Sequence, residues 1–382
     1  MPNIVLILAD DLGYGDVSCM NPSSRIRTTA IDALAAEGMR FTDAHSTSAV
    51  CSPSRYSVLT GRYNWRSTLQ RGIVGVYGDP LIDADRLTLP RMLQKRGYHT
   101  AAIGKWHLGM GWDFEPDEED FFPGGGRQAT DGQRDRWRAA FDKPTIGGPC
   151  TRGFDAYFGV DVPNWPPYAF IEHDRLVGVP SELLPDRLVG NNLASYSGPA
   201  MPYWHFEQLL PAWAHRADAY IADRARSDEP FFLYLALTSP HTPLSVNKPW
   251  IGASGLNSLY ADLVLETDHV VGQVMESLDR YGLSDSTLVI FTSDNGCAPY
   301  IGVAELEAQG HRPSAEYRGY KSDAWDGGHR VPFIVRWPGK VAAGTTQSAL
   351  VSQTDLMATM AQVVGASLPA NAGEDSYSMM PL

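Results

Sequence analysis

The sequence has no excess of positive charge. It carries 31 Lys and Arg residues against 44 Asp and Glu residues, which gives a formal net charge of -13 at pH 7. Proteins that bind nucleic acid present a basic face, so this balance argues against a nucleic-acid partner. An anionic substrate would have to be bound by a local group of cations rather than by the surface as a whole.

Cysteine is scarce, and no apolar run is long. Four cysteines are too few for a disulfide scaffold, and they leave the redox compartment open. No run reaches the length of a membrane span, and no charged n-region or cleavage site precedes the first strand. We therefore expect no membrane span. We expect a cytoplasmic protein, or a periplasmic or secreted one if a signal peptide has been removed.

The chain does have the length and apolar content for a large core, with 382 residues of which 43% are hydrophobic. Apolar runs at Asn3–Ala9, Pro230–Leu237 and Ser286–Ser293 predict buried parallel strands. Segments 28–38 and 256–281 predict helices between them. Strands alternating with helices in this way indicate an α/β fold.

Polar residues follow two of these strands. Asp10 and Asp11 come after the first strand, and Asp294 and Asn295 come after the last. Ligands of open α/β sheets gather at the carboxyl ends of strands, and neighbouring carboxylates repel unless a cation lies between them. Because no His or Cys cluster of zinc-site spacing accompanies these oxygen donors, they suit a hard divalent cation. The alternative for Asp10 and Asp11 is a pair that caps the turn at 13–16.

A second candidate centre is Cys51. It stands two residues before Pro53, at the start of a run able to form a helix. Free amides and the positive end of the helix dipole collect at such a position, and Arg55 follows one turn later. We therefore expect a thiol with a lowered pKa and high reactivity. The alternative is a buried structural cysteine beside a proline turn.

The segment around Cys51 resembles the C-x-P-S-R-x4-T-G-R signature of the type I sulfatases, in which the cysteine is oxidised to Cα-formylglycine. Every fixed position of the signature is filled, by Cys51, Pro53, Ser54, Arg55, Thr60, Gly61 and Arg62. The Asp10–Asp11 pair after the first strand also resembles the opening of these enzymes. Within this family, the chain most resembles the arylsulfatase A and N-acetylgalactosamine-6-sulfatase members.

Three further stretches resemble sulfatase motifs. Residues 104–109 read G-K-W-H-L-G and contain Lys105 and His107, and residues 239–243 contain His241 in a T-H-x-P-like context. Lys321 precedes the block at 326–332, in which Asp326 replaces a glutamate, and Tyr320 replaces a glycine just before Lys321.

The resemblance implies an alkaline-phosphatase-like α/β fold, with a large mixed, mostly parallel sheet between helices. It implies one catalytic domain over residues 1–382, and the smaller antiparallel C-terminal subdomain of relatives is expected to be absent. Residues 111–150 look like a surface insertion with low core content. Residues 162–197 look like a Pro- and Trp-rich loop able to contact substrate, on which His173 and Arg175 are candidates for substrate binding.

The resemblance also implies a metal and a mechanism. The metal would be Ca2+, or Mg2+, held by Asp10, Asp11, Asp294, Asn295 and the modified Cys51. A hydroxyl of the hydrated formylglycine, acidified by the metal, Arg55 and Lys105, would attack sulfur. His241 and Lys321 would neutralise or protonate the departing alcohol oxygen. His107 would deprotonate the second hydroxyl, and this step expels sulfate. Lys105, His241 and Lys321 would also bind the substrate.

The implied function is a sulfuric ester hydrolase that acts on a sulfated carbohydrate or an aryl sulfate, with galacto-configured sulfates slightly favoured. Its partners would be that substrate and a formylglycine-generating or anaerobic sulfatase-maturating enzyme; the oligomeric state is not indicated. One alternative is a phosphonate or phosphate ester hydrolase that uses the same formylglycine. Another is a catalytically silent carbohydrate-binding relative. An enzyme with two zinc ions is disfavoured because its His-rich ligand set is not visible.

Overall fold

The computed structural model describes residues 1–117, 121, 128–189 and 194–382. The strands in these ranges are β1 (Asn3–Asp10), β2 (Met39–Phe41), β3 (Ala44–His45), β4 (His99–Lys105), β5 (Ala156–Val160), β6 (Ile171–Glu172), β7 (Arg175–Leu176), β8 (Glu182–Leu183), β9 (Pro199–Ala200), β10 (Phe231–Pro240), β11 (Thr287–Ser293), β12 (Phe333–Arg336), β13 (Thr345–Gln347) and β14 (Val351–Ser352). The helices are α1 (Thr29–Ala36), α2 (Cys51–Thr60), α3 (Leu89–Gln94), α4 (Asp131–Phe141), α5 (Asp186–Val189), α6 (Leu209–Arg224), α7 (Leu259–Arg280), α8 (Val303–Ala308), α9 (Asp326–His329) and α10 (Asp355–Val363).

One mixed sheet of ten strands organises the fold, in the order β13-β2-β12-β11-β1-β10-β4-β5-β6-β7. Its five central strands, β11, β1, β10, β4 and β5, are all parallel to one another. The strands next to this group, β12 and β6, are antiparallel to it. The predicted α/β architecture with a mixed, mostly parallel sheet is therefore confirmed.

Both faces of the sheet are buried under helices. Alternate residues of β1 enter opposite layers, because side chains of a strand point to opposite faces. Val5 and Ile7 pack in one core with residues of α6 and α7, whereas Leu6 and Leu8 pack in the other with residues of α2, α3 and α10. This two-sided burial explains why the central strands read as continuous apolar runs.

The prediction that residues 111–150 contribute little to the core is wrong. Helix α4 places Trp137, Ala140 and Phe141 on one buried face, which follows from their helical spacing. Phe141 packs edge-on against Trp112 with ring centroids 5.4 Å apart. In the sequence, the charged residues on the rest of the helix, at 131, 134–136 and 138, hide this buried face. Most of the acidic run at 117–120 and the glycines at 124–126 lie outside the described residues.

The four cysteines are all described, and none of them forms a disulfide. In the described residues, no helix combines the length and the apolar character that a membrane crossing requires.

Candidate active site

The carboxyl ends of four adjacent central strands converge on one site. In sheet order these strands are β11, β1, β10 and β4. Ala9 of β1 is level with Ser293 of β11, and Asp10 is level with Pro240 of β10. The residues at or just after these strand ends are Asp294 and Asn295, Asp10 and Asp11, His241, and Lys105 with His107. Residues far apart in the sequence therefore meet because parallel strands end at the same edge.

Helix α2 brings Cys51 to the same place. The helix begins at Cys51, as predicted, and all ten of its residues are buried. The Cys51 Sγ lies 3.6 Å from Asp10 Oδ1 and can donate a weak hydrogen bond to it. The predicted lowering of the thiol pKa is wrong. Burial raises the pKa of Cys51 to about 12, with help from Asp294 and Asp10, and outweighs the opposing effect of Lys105 and Lys321.

Four side chains in this site could share a metal ion. Single ligand atoms of Asp10, Asp11, Cys51 and His241 all lie within 4.8 Å of one another, and all four residues are buried. Three of these residues stand at the ends of β1 and β10, and the fourth is the first residue of α2. The resemblance to sulfatase motifs implied three of them as metal ligands and implied another role for His241.

The two other predicted ligands adjoin this group through Asp11. The Asp11 backbone N–H donates to Asp294 Oδ1 at 3.2 Å, and Asn295 Nδ2 donates to Asp11 Oδ1 at 2.7 Å. The amide oxygen of the same side chain, Asn295 Oδ1, is buried and has no hydrogen-bond partner among the described residues. A buried acceptor without a partner is costly, and a hard cation would satisfy it. The donor set therefore fits a divalent metal ion.

Three cations neutralise the three carboxylates in pairs. Lys105 Nζ lies 2.7 Å from Asp10 Oδ2, Lys321 Nζ lies 2.7 Å from Asp11 Oδ1, and Arg55 lies 2.8 Å from Asp294 Oδ2. The side chains of Arg55 and Lys105 have no exposed surface, and that of Lys321 is nearly buried. Because these pairs already balance the carboxylates, a bound divalent ion would leave the site positively charged.

The pKa values of two of these carboxyl groups are shifted in opposite directions. Burial alone would raise the pKa of Asp10, but Lys105, together with His241 and Arg55, holds it well below the usual range. Burial and the neighbouring Asp10 raise the pKa of Asp294 to about 6, although Arg55 opposes the shift. The site therefore keeps Asp10 ionised most firmly, and Asp294 depends on Arg55 for its charge.

The environment of His107 defines which of its nitrogens is available. His107 Nε2 lies 3.1 Å from the Val74 carbonyl oxygen, which can only accept, so this nitrogen carries the proton. The buried Nδ1 has no hydrogen-bond partner among the described residues. Burial lowers the pKa of His107 well below its usual value, and Lys105 and Arg55 lower it further. The ring is therefore neutral, with its lone pair on Nδ1.

His241 is oriented in the opposite sense. Its Nδ1 lies 2.6 Å from the Thr242 carbonyl oxygen and so donates to it, which leaves Nε2 3.6 Å from Asp11 Oδ2. Burial lowers the pKa of His241 to about 4, and Lys321 adds to the shift. The neutral ring therefore offers Nε2 as an acceptor or a ligand, and it has no proton to give from that atom.

Two predicted substrate residues are not brought to this site. His173 and Arg175 are exposed and stand in the hairpin of β6 and β7 at the outer edge of the sheet. The His173 backbone N–H donates to Tyr157, near the start of β5, whereas the site lies beyond the end of that strand. Arg175 instead donates to the Asp142 carbonyl oxygen at 2.9 Å. Their assignment to substrate binding stays a prediction.

Two residues near the site were not predicted. Asp161 is the first residue after β5, and so lies at the carboxyl end of its strand, as Asp10 does in β1. Its carboxylate accepts a hydrogen bond from the His107 backbone N–H at 3.1 Å. Burial raises the pKa of Asp161 to about 7. Tyr300, five residues after Asn295, is 49% exposed. Burial raises its pKa, an effect that the nearby Lys321 opposes and Asp11 and Cys51 reinforce. In the sequence, both residues could have been found as polar or aromatic residues that come soon after a buried strand.

Comparison with known proteins adds independent findings. The sequence profile of the Sulfatase family matches residues 2–366. The N-acetylgalactosamine-6-O-sulfatase of Bacteroides thetaiotaomicron is 34% identical over 411 residues, covering 98% of this chain and 75% of that protein. Human arylsulfatase A is 34% identical over 386 residues, covering 100% of this chain and 67% of that protein.

A solved structure is also similar throughout. It comes from work on the metabolism of multiple glycosaminoglycans by Bacteroides thetaiotaomicron and superposes with a TM-score of 0.83 at 32% identity. The match covers 99% of this chain and 80% of that one. The fold described above is therefore shared with that protein.

Proposed function

The chain belongs to the sulfatase family, as its motifs predicted, and from the geometry of the site we propose that it hydrolyses the sulfate ester of a sulfated carbohydrate. The similar proteins reported above are sulfatases, and the name of the N-acetylgalactosamine-6-O-sulfatase states the substrate of that enzyme. We extend that substrate class to this chain, with galacto-configured sulfates first, over residues 1–382 as one catalytic domain.

One observation carries the proposal. The first residue of helix α2, Cys51, faces the oxygen donors at the end of β1, inside a group of buried cations. A cysteine with only a structural role does not require buried cations around it. An anionic ester that is attacked by a nucleophile derived from Cys51 does require them, because burying an anion without cations is prohibitively costly.

The metal would be held by Asp10, Asp11, Asp294, Asn295 and the modified residue 51. When bound, it would draw electron density from the nucleophile and from the sulfuryl oxygens as a Lewis acid. Ca2+ suits these oxygen donors, and Mg2+ suits them less because it demands a more regular octahedron. His241 Nε2 lies among the same ligand atoms, so it either joins the ligands or contacts the substrate oxygen next to them.

The nucleophile would be Cα-formylglycine made from Cys51 by a maturating enzyme. Its hydrated form supplies one hydroxyl for attack on sulfur and a second whose deprotonation releases sulfate. The buried, protonated thiol of Cys51 is a poor nucleophile in its own right, because a thiol attacks as the thiolate. The raised thiol pKa thus favours a role as precursor rather than as nucleophile.

The remaining side chains bind the sulfate group and transfer protons. Arg55 and Lys105, which pair with Asp294 and Asp10, lie beside the nucleophile and would bind the sulfuryl oxygens. His107 is the base, because its neutral ring has the Nδ1 lone pair available. Lys321 is the donor to the departing alcohol oxygen, since its pKa is raised and it holds protons that neutral His241 lacks at Nε2. Burial would lower the Lys321 pKa, but the neighbouring Asp11 carboxylate raises it.

Two measurements test the proposal together. The mass of the peptide that contains residue 51 should show conversion of the thiol to the aldehyde in protein made with a maturating enzyme. Release of inorganic sulfate should then be followed with galactose 6-sulfate, an aryl sulfate, and the matching phosphate mono- and diesters. Faster phosphate than sulfate release would favour the alternative ester hydrolase. Sugar binding without any hydrolysis by converted protein would favour the silent relative.

A further inference from the structure

We propose that Trp165, supported by Tyr196, forms a stacking platform for the sugar ring that carries the sulfate, and that this platform makes the site select sulfated sugars over small alkyl sulfates. The inference rests on the proposed function, because it names the part of the substrate next to the sulfate group. It concerns two residues, Trp165 after β5 and Tyr196 before β9, neither of which was assigned a role above.

Trp165 lies directly against the site. Its ring centroid is 5.2 Å from that of His107, with an angle of 79° between the ring planes. His107 is almost fully buried, whereas Trp165 is only partly buried. Trp165 therefore contacts the base and is also partly exposed to solvent, so a substrate whose sulfate group is in the site can extend past this ring.

The indole is held rigidly in place. Its Nε1 donates to the Ala194 carbonyl oxygen at 2.7 Å, and Asn164 Nδ2 donates to the same oxygen at 2.8 Å. The Tyr196 backbone N–H donates in turn to the Asn164 carbonyl oxygen. These bonds join the segment after β5 to the segment before β9 and fix the ring in advance. A preformed aromatic surface binds a ligand with little loss of side-chain entropy.

In the described part of the chain, the aromatic neighbours of this indole meet it at steep angles and do not stack on its faces. Its two ring neighbours, His107 and Tyr196, approach at 79° and 64°, and within the described ranges no ring stacks parallel on it and no cation lies over it. The exposed Trp65 is different, since Tyr63 stacks on it at 12° and the Arg66 guanidinium lies 4.7 Å from its ring centre. Tyr196 is 45% exposed and extends the aromatic surface outward.

The chemistry around the platform suits a ring with hydroxyl groups. The face of a pyranose presents C–H groups, which pack on an aromatic face, while its hydroxyls point outward and need polar partners. Asp161, three residues before Asn164, is a partly exposed carboxyl beside His107 and can accept from such hydroxyls. A galactose or N-acetylgalactosamine ring presents both such a C–H face and such hydroxyls.

The test compares two sulfates with the same kind of leaving group. Methyl galactoside 6-sulfate and ethyl sulfate are both esters of primary alcohols, but only the first has a ring to stack. In Trp165→Ala, the ratio of kcat/KM for the sugar sulfate to kcat/KM for ethyl sulfate should fall roughly tenfold, the size of one good aromatic contact. Trp165→Phe should restore most of the ratio. Trp65→Ala, which alters the other Trp–Tyr pair, should leave it unchanged.

An unchanged ratio in Trp165→Ala, or an equal loss in Trp165→Ala and Trp65→Ala, would overturn the proposal. The ratio cancels any general effect of the substitution on His107. A second arm uses unsulfated methyl galactoside, with binding measured by saturation-transfer NMR. Weaker binding by Trp165→Ala supports the platform even if the wild type releases no sulfate, whereas equal binding or no binding by the wild type counts against it. Failure of the platform is thereby distinguished from failure of the proposed function.

Discussion

Replacing Arg55 by methionine should strongly destabilise the metal-free protein. Methionine keeps much of the volume of the side chain but removes its charge. Arg55 contacts Asp294 at 2.8 Å and Asp10 at 3.7 Å, and none of the three side chains is exposed. Asp10 would keep its contact with Lys105 at 2.7 Å. Asp294 would lose the one cation within 4.0 Å of it in the described residues.

The magnitude follows from that unpaired charge. Removing one partner of a buried ion pair costs about 3 to 5 kcal/mol in the free energy of unfolding, because a desolvated charge is left without compensation. The loss should be smaller at low pH. The pKa of Asp294 is already raised by burial, and removing Arg55 raises it further, so the folded variant can hold a proton there. A carboxyl whose pKa is higher in the folded state loses stability as pH rises from its unfolded value through its folded value.

The assay is guanidinium unfolding, followed by fluorescence and checked for reversibility by dilution, in EDTA and in excess Ca2+. We expect the deficit of Arg55→Met to be larger at about pH 8 than at about pH 5, and to shrink when Ca2+ neutralises the carboxylates. Arg138→Ala, which removes an exposed pair with Asp135, should change stability by less than about 1 kcal/mol. If Arg55→Met proved no more destabilising than this control in EDTA, the account of the site as balanced buried charges would be refuted.

Three further predictions concern turnover and metal binding. Cys51→Ser should release at most one sulfate per enzyme, because an alcohol cannot collapse to an aldehyde; a burst assay measures this, and sustained turnover would rule out the scheme. The acidic limb of the kcat–pH profile should lie below the usual His value of about 6.5, since His107 is buried near two cations; a limb near that value that disappears in His107→Gln would contradict the assignment. Asn295→Ala should weaken Ca2+ binding roughly tenfold or more in calorimetry, because it removes an oxygen donor; unchanged affinity would exclude Asn295 as a ligand.

Much of the site could be predicted from local sequence. Asp10, Lys105 and Asp294 each follow or end an apolar run, and the ends of parallel strands share one edge of the sheet. The start of helix α2 at Cys51 was also predictable from local sequence, because Pro53 favours the first turn of a helix. These predictions depend only on the neighbours of each residue in the chain, so they needed no knowledge of packing.

Other properties depend on distant parts of the chain. The thiol pKa of Cys51 is raised because the whole of α2 is buried, and the tautomer of His107 is set by the Val74 carbonyl, 33 residues away. The segment 111–150 looked like surface because its charges hid the buried face of α4. Motif and strand pattern thus determined which residues meet and in what fold. Only the tertiary structure decided their protonation, their hydrogen-bond partners and the aromatic surface beside them, because desolvation and long-range contacts exist only once the chain has packed.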